Sequence, residues 1–214
     1  MDLYNYFRSS SAYRVRIALN LKGLPYDYLP VHLNRAGGEQ FMPAYTTLNP
    51  QQLVPLLDDG ETRVGQSLAI IEYLDELYPS PPLLPAAAAE RARARQLALA
   101  IACDIHPLNN LRVLKFLVGP MGLDEAAKAQ WVAHWHRIGL EALERQLADA
   151  PRRGRFCIDD TPGLADCCLV PQLFNARRFG MDLAPYPVLT AIDEACQALP
   201  AFAQAHPQRQ PDAE

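Results

Sequence analysis

No cysteine occurs before Cys103. The five that exist, Cys103, Cys157, Cys167, Cys168 and Cys196, are odd in number and never spaced CxxC. That pattern suggests neither a disulfide framework nor a zinc site, and it fits a reducing cytoplasm best. Long apolar runs are missing too, since nothing approaches the ~20 residues that a bilayer span needs. Polar and charged residues interrupt the first twenty positions, so no signal peptide is read there. Nor is there an excess of positive charge. The chain of 214 residues has a formal net charge of -4 with 21% charged residues, which argues against a general nucleic-acid binder. Internal repeats are absent, and the only biased segment is the polar end "HPQRQPDAE". What remains is an ordinary globular composition, half hydrophobic, in a length that suits one compact domain or two small ones.

The first third alternates between extended and helical patterns. "LYNYF" (3–7) reads as a strand, and "SAYRVRIALNLKG" as a helix with Gly23 at its C-terminal end. "YDYLPV" (26–31) is extended again. "VPLLDD" and "TRVG" form two strands joined at Asp59-Gly60, and "SLAIIEYLDELYP" (67–79) is an amphipathic helix opened by Ser67 and closed by Pro79. Residues 1–79 therefore form a small α/β unit. Four prolines in the seven residues of "PSPPLLP" make a linker over 80–89. From 90 to 214 helical patterns dominate, at about 88–118, 123–149, 164–179 and 187–197, and the second domain reads as all-helical.

The chemistry concentrates where the first strand hands over to the first helix, in "YFRSSSAYRVRIALN" (6–20). Backbone N–H groups and the positive end of a helix meet there, a place that stabilises an anion such as a carboxylate or thiolate. A cysteine in that turn would make the chain a thiol–disulfide enzyme. The turn holds Ser9, Ser10 and Ser11 instead, which donate to a thiolate without being one, so a reactive sulfur must come from outside. Taken alone, the serines are better read as helix caps. Pro55 in "LVP" is a candidate cis-proline that offers the Val54 backbone to an extended peptide. Gln66 and Ser67 place a polar pair at another helix start. Each of these has an ordinary structural reading as well.

Taken in order, with a proline-rich linker and a helical domain behind them, these pieces resemble a glutathione transferase. The segments "SSSAYRVRIALNLKGLPYDY", "LNPQQLVPLL", "QSLAIIEYLDELYP", "TPGLADCCLVPQL", "RRFGMDLAPYP" and "HPQRQPD" resemble the zeta class over about residues 1 to 212. The resemblance implies a thioredoxin-like α/β N-terminal domain, an all-α C-terminal domain, a homodimer and glutathione as cofactor. The implied activity is cis–trans isomerisation of a maleyl dioxo acid, maleylpyruvate or maleylacetoacetate, to its fumaryl isomer by reversible thiolate addition.

Carried over residue by residue, Ser9 is the implied hydroxyl donor to the glutathione sulfur, with Ser10 and Ser11 lining it. Gln40, Val54, Pro55, Gln66 and Ser67 match positions that hold the tripeptide. "IHPLNNLR" offers His106, Asn110 and Arg112. Arg8, Arg112 and Arg178 match arginines that receive substrate carboxylates, and Arg177 serves as their control because adjacent helical residues face different ways. The chain departs from the family pattern at Ser11, where cysteine is frequent, at Tyr13, where tryptophan is common, and at Gly163, which takes the cap place of a Ser or Thr before Asp166. Generic conjugation or dehalogenation, and a non-catalytic glutathione-binding scaffold, are the alternative readings. No nucleic-acid or membrane partner and no metal are expected.

Overall fold

Leu3 is fully buried in the opening strand, so the chain folds around its own start. The computed structural model describes residues 1–150 and 154–214. It divides into two units, residues 1–83 with 198–214, and residues 84–197. In the first unit β1 (Asp2–Asn5), α1 (Ser10–Leu21), β2 (Asp27–Pro30), α2 (Pro43–Thr46), β3 (Leu56–Asp58), β4 (Arg63–Gly65) and α3 (Ser67–Leu77) follow one another. The sheet order is β2-β1-β3-β4. β1 runs parallel to β2, with Leu3 opposite Tyr28, and antiparallel to β3, with Leu3 opposite Leu57. Parallel neighbours need a crossover between them, and α1 supplies it. β3 and β4 form the expected hairpin, turned at Gly60 with φ 95°, while Asp59 Oδ1 accepts from the N–H groups of Glu61 and Thr62.

Several boundaries differ from the sequence reading. β1 stops at Asn5, because Tyr6 accepts from the Ser9 N–H and starts the turn into α1. Helix α1 ends at Leu21 with Lys22 as its cap, and Gly23 follows at φ 65°, the left-handed position glycine takes most easily. Ser67 does not cap α3. It is the first residue inside the helix, and its hydroxyl accepts from Arg14 Nη1 at 3.2 Å. The helix ends at Leu77, short of Pro79. The proline-rich stretch is anchored. Lys22 Nζ donates to the carbonyls of Tyr78 (2.7 Å) and Pro81 (2.9 Å) and pairs with Asp75 at 2.6 Å.

In the second unit α4 (Ala88–Leu99), α5 (Leu111–Val118), α6 (Glu125–Ala148), α7 (Leu164–Arg178) and α8 (Pro187–Gln197) are its α-helices among the described residues. The pattern expected to be one helix over 88–118 breaks into α4, a π-helical segment Ala100–Ile105, a 3₁₀ turn His106–Asn109, and α5. Pro107 has no N–H to continue the ladder, and Asn110 restarts it by accepting from the Arg112 N–H at 3.1 Å. Gly139 of α6 lies against the π-helical segment so closely that a Cβ there would stand 2.3 Å from Ile105. Asp166 caps the start of α7 as expected, accepting from the Gly163 N–H at 2.9 Å. The cysteines 167 and 168 are fully buried, as packing residues should be.

The end of the chain packs with the first unit. Residues 198–214, read as part of the helical domain, belong to the first unit. Helix α9 (Pro200–Ala205) packs on α1, and Phe202 is fully buried. Hydrophobicity alone does not reveal this. Beside the buried Phe202, Asn20 Nδ2 donates to the Ala201 carbonyl (2.9 Å) and Arg16 Nε to that of Ala205 (3.1 Å).

Candidate active site

The serine turn is built from backbone upward. The Ser9 N–H donates to the Tyr6 carbonyl at 3.0 Å, and the Ser9 carbonyl accepts from the Tyr13 N–H at 2.9 Å. Ser9 itself is extended, φ −68° and ψ 119°, and its Oγ accepts from the Ala12 N–H at 3.2 Å. Ser9 is therefore the N-cap of α1, as the ordinary reading held. That role occupies one lone pair of Oγ and leaves the hydroxyl proton to donate elsewhere. Ser10 is buried and Ser11 half-buried at the next two positions. The first turn of α1 holds no acidic residue, so its positive end is not neutralised locally. Arg8 is exposed, with its guanidinium carbon 5.9 Å from the Tyr6 ring centre and 5.5 Å from that of Phe7.

Two further stretches of the first unit carry the other expected residues. The Val54–Pro55 peptide bond is cis, as the "LVP" motif suggested. The loop before it is tied at Leu53, whose carbonyl accepts from Tyr45 Oη (2.5 Å) and Asn49 Nδ2 (2.8 Å). Burial pushes the Tyr45 hydroxyl up to about 12, so it remains a donor at neutral pH. Val54 buries its side chain with Tyr6, Phe7, Val31, Tyr45 and Leu56. Gln66 has φ 65°, rare for a residue with a side chain, and its Nε2 donates to Gln51 Oε1 at 3.1 Å. A left-handed non-glycine residue beside a helix start is the kind of strain that functional sites retain.

Gln40 is only 5% exposed, yet its Oε1 has no partner among the described residues. A buried amide oxygen left without a donor costs stability unless a ligand supplies one. Gly38 makes room for it, because a Cβ at position 38 would stand 2.7 Å from both amide heteroatoms of Gln40.

The second unit holds His106, Asn110, Arg112 and Arg178. His106 opens the 3₁₀ turn and is half-buried. The side-chain oxygen of Asn110 serves as the cap of α5. Arg112 is exposed in the first turn of that helix. Arg178, in the last turn of α7, donates to Asn175 Oδ1 at 3.0 Å and stands 4.4 Å over the Phe179 ring. Arg177 turns the other way and pairs with Asp193 of α8 at 2.6 Å. The control residue is thus engaged in structure, as the helical geometry required.

Sequence reasoning missed the buried arginines beneath the serines. Arg14 is 2% exposed and Arg16 0%, both within α1. Arg14 links the helix that the serines open to Ser67 of α3. Arg16 holds the carbonyls of Tyr6 and Phe7. The signal was available in "RVRIALN", where two arginines interrupt a helix that is otherwise apolar.

The first unit thus holds an acid-free helix start with a hydroxyl cap, a cis-proline loop and a buried Gln40 amide oxygen without a donor among the described residues. Family comparison agrees. Residues 3–82 match the glutathione S-transferase N-terminal domain and residues 125–204 the C-terminal domain of the same family. The chain is 54% identical over 212 residues to a maleylpyruvate isomerase from a Ralstonia species, covering 99% of each. It superposes with a TM-score of 0.97 and 53% identity, over 100% of both chains, on the holo structure of a bacterial zeta-class maleyl pyruvate isomerase. A maleylacetoacetate isomerase from Methylobacterium extorquens AM1, solved with bound malonate and glutathione, gives a TM-score of 0.96 at 42% identity over 100% of both chains. The chain belongs to the glutathione S-transferase family, and within it to the zeta class.

Proposed function

We propose that this protein is a glutathione-dependent cis–trans isomerase that converts a maleyl dioxo acid, maleylpyruvate or maleylacetoacetate, to its fumaryl isomer. The observation that carries the reading is the start of α1, where Ser9 caps the helix and keeps a hydroxyl proton to give, with no carboxylate in the first turn. The residues fit glutathione. A tripeptide backbone supplies the donor that the Gln40 oxygen lacks, and the Val54 backbone, Gln66 and Ser67 offer the remaining polar contacts. Bound glutathione supplies a nucleophilic thiolate whose reversible addition to the cis double bond permits rotation about it.

The chain's own groups do the rest. Ser9 Oγ–H and the N–H groups opening α1 hold the sulfur as an anion near neutral pH. Ser10 and Ser11 line the same helix start. Arg8, Arg112 and Arg178 receive substrate carboxylates, and their charge offsets the negative charge that develops on the keto oxygen. His106 and Asn110 complete the polar set on the helical unit. A homodimer and a cytoplasmic setting belong to the same reading. They rest on family membership and on five free thiols in a chain whose described helices are too short or too polar to span a membrane.

The test is steady-state isomerisation of maleylpyruvate and maleylacetoacetate, with and without glutathione. Turnover that depends on glutathione without consuming it is the expected result. Stoichiometric consumption, or conjugation of a standard electrophile with no isomerisation, would move the protein to the generic transferases.

The Gln40 contact has its own test. Gly38→Ala forces a side chain onto φ 121° and into the Gln40 amide. Loss of that single hydrogen bond is expected to raise KM for glutathione about fivefold while kcat stays near wild type. Gln40→Ala should reproduce the same split. An unchanged KM in both variants would remove Gln40 from the binding set.

A further inference from the structure

The polar end "HPQRQPDAE" lies against the first unit, and its carboxylate Asp212 meets the backbone of the serine turn. Asp212 Oδ2 accepts from the Phe7 N–H at 3.1 Å, two residues before Ser9. Its other oxygen accepts from Tyr28 Oη of β2. The same turn is fixed at Tyr6, whose carbonyl accepts from the Ser9 N–H (3.0 Å), and at Phe7, whose carbonyl accepts from Arg16 Nη2 (2.9 Å). The end of the chain is secured on either side of Asp212. Gln210 Nε2 donates to the carbonyls of Gln204 (2.8 Å) and His206 (2.9 Å), and Glu214 Oε1 meets His32 Nε2 at 3.0 Å.

From this geometry we infer that Asp212 is a positioning residue for the isomerisation: the C-terminal segment fixes the Tyr6–Ser9 turn and thereby aims the Ser9 hydroxyl and the first N–H groups of α1 at the thiolate. The inference rests on the reading of Ser9 given above. Its physical content is a sign. Asp212 is an anion beside a site that binds an anion. By charge alone, removing it would favour the thiolate and lower the pH at which the bound thiol ionises. If its role is to hold the turn, removing it misplaces the donors and raises that pH. The two effects oppose each other, so a measured direction separates them.

The experiment titrates the ultraviolet absorbance of the thiolate in the enzyme–glutathione complex for wild type, Asp212→Ala, Asp212→Asn and Tyr28→Phe. Steady-state kcat and KM for glutathione are measured alongside. Asp212→Ala is expected to weaken the preference for the thiolate about tenfold and to lower kcat at neutral pH more than it raises KM. Asp212→Asn keeps an oxygen for the Phe7 N–H and should recover most of the loss. Tyr28→Phe, which frees one anchor of the carboxylate, should fall between. Asn20→Ala is the stability control. It releases the Ala201 carbonyl in the same terminal segment without touching the turn, and should lower Tm while leaving the thiol titration as in wild type.

A titration unchanged or shifted to lower pH in Asp212→Ala overturns the inference while leaving the Ser9 reading intact. Should Asp212→Ala fail to fold, the order of Asp212→Asn and Tyr28→Phe decides by the same signs. A wild-type complex whose thiol ionises no more readily than free glutathione overturns the Ser9 reading, and the positioning role with it.

Discussion

Ser9→Ala is expected to reduce kcat/KM for isomerisation about 100-fold, the usual scale for removing one preorganised donor from a developing or bound anion. The structure gives Ser9 two tasks, and the variant removes both. Its Oγ accepts from the Ala12 N–H, and that cap is worth about 1 kcal/mol to α1. A reader of activity alone could mistake lost helix for lost chemistry. Ser9→Asp separates them. Aspartate caps a helix start as well as serine does, so Tm should hold within a few degrees. An anion at position 9 repels the thiolate instead of donating to it, so activity should fall at least as far as in Ser9→Ala. Ser9→Thr keeps both the cap and the donor and should retain most of the rate. Unfolding monitored by circular dichroism, set beside glutathione-dependent turnover, checks all three. Normal turnover in Ser9→Asp would show that Ser9 is a cap and nothing more.

The serine turn was legible because its logic is local. Hydroxyls at a strand-to-helix junction and a cis-proline motif each sit within a few residues of sequence, and the structure keeps both, while of the polar pair at the next helix start Gln66 precedes the helix and Ser67 lies inside it. Boundaries that depend on tertiary partners were less legible. "LAIIEYLDELYP" showed an amphipathic helix, but that Ser67 lies inside it and answers Arg14 follows only from the packing of α1 on α3. The helix read over 88–118 was periodic enough to look continuous. What divides it is one missing N–H at Pro107 and one capping side chain at Asn110, with Ile105 set against Gly139 more than thirty residues away. The terminal segment, Phe202 apart, is mostly small and polar and gave little hydrophobic signal. Its place is set by Asn20, Arg16, Tyr28 and His32, each far off in sequence. The Gln40 site hides for a related reason. Nothing in "AGGEQF" announces that the second glycine exists to clear space for an amide two residues on.

Arg16→Ala is expected to be the most damaging single change for stability, on the order of 4 kcal/mol. Arg16 is 0% exposed, and its guanidinium donates to three backbone carbonyls and one side-chain amide. Nε donates to the Ala205 carbonyl (3.1 Å), Nη1 to Asn5 Oδ1 (3.0 Å) and to the Tyr6 carbonyl (3.5 Å), and Nη2 to the Phe7 carbonyl (2.9 Å). One planar fork therefore joins the end of β1, the serine turn and the terminal segment. Burial pulls its pKa below the ordinary guanidinium value, opposed by the nearby tyrosines and by Asp212, which lies close enough to favour the charge. Truncation to alanine removes the buried charge and with it that desolvation cost. It also strands the Ala205 and Phe7 carbonyls and the Asn5 amide oxygen, while the Tyr6 carbonyl keeps the Ser9 N–H; each stranded acceptor costs about 1–3 kcal/mol when buried without a donor. The second effect is larger because several acceptors are lost together. Arg16→Lys keeps the charge on a point donor that reaches fewer of them, and should lose about half as much. Urea unfolding of the full chain measures both, as a fall in the midpoint at constant slope. A loss below about 1 kcal/mol in Arg16→Ala would mean that water replaces the guanidinium, and that the serine turn does not depend on it.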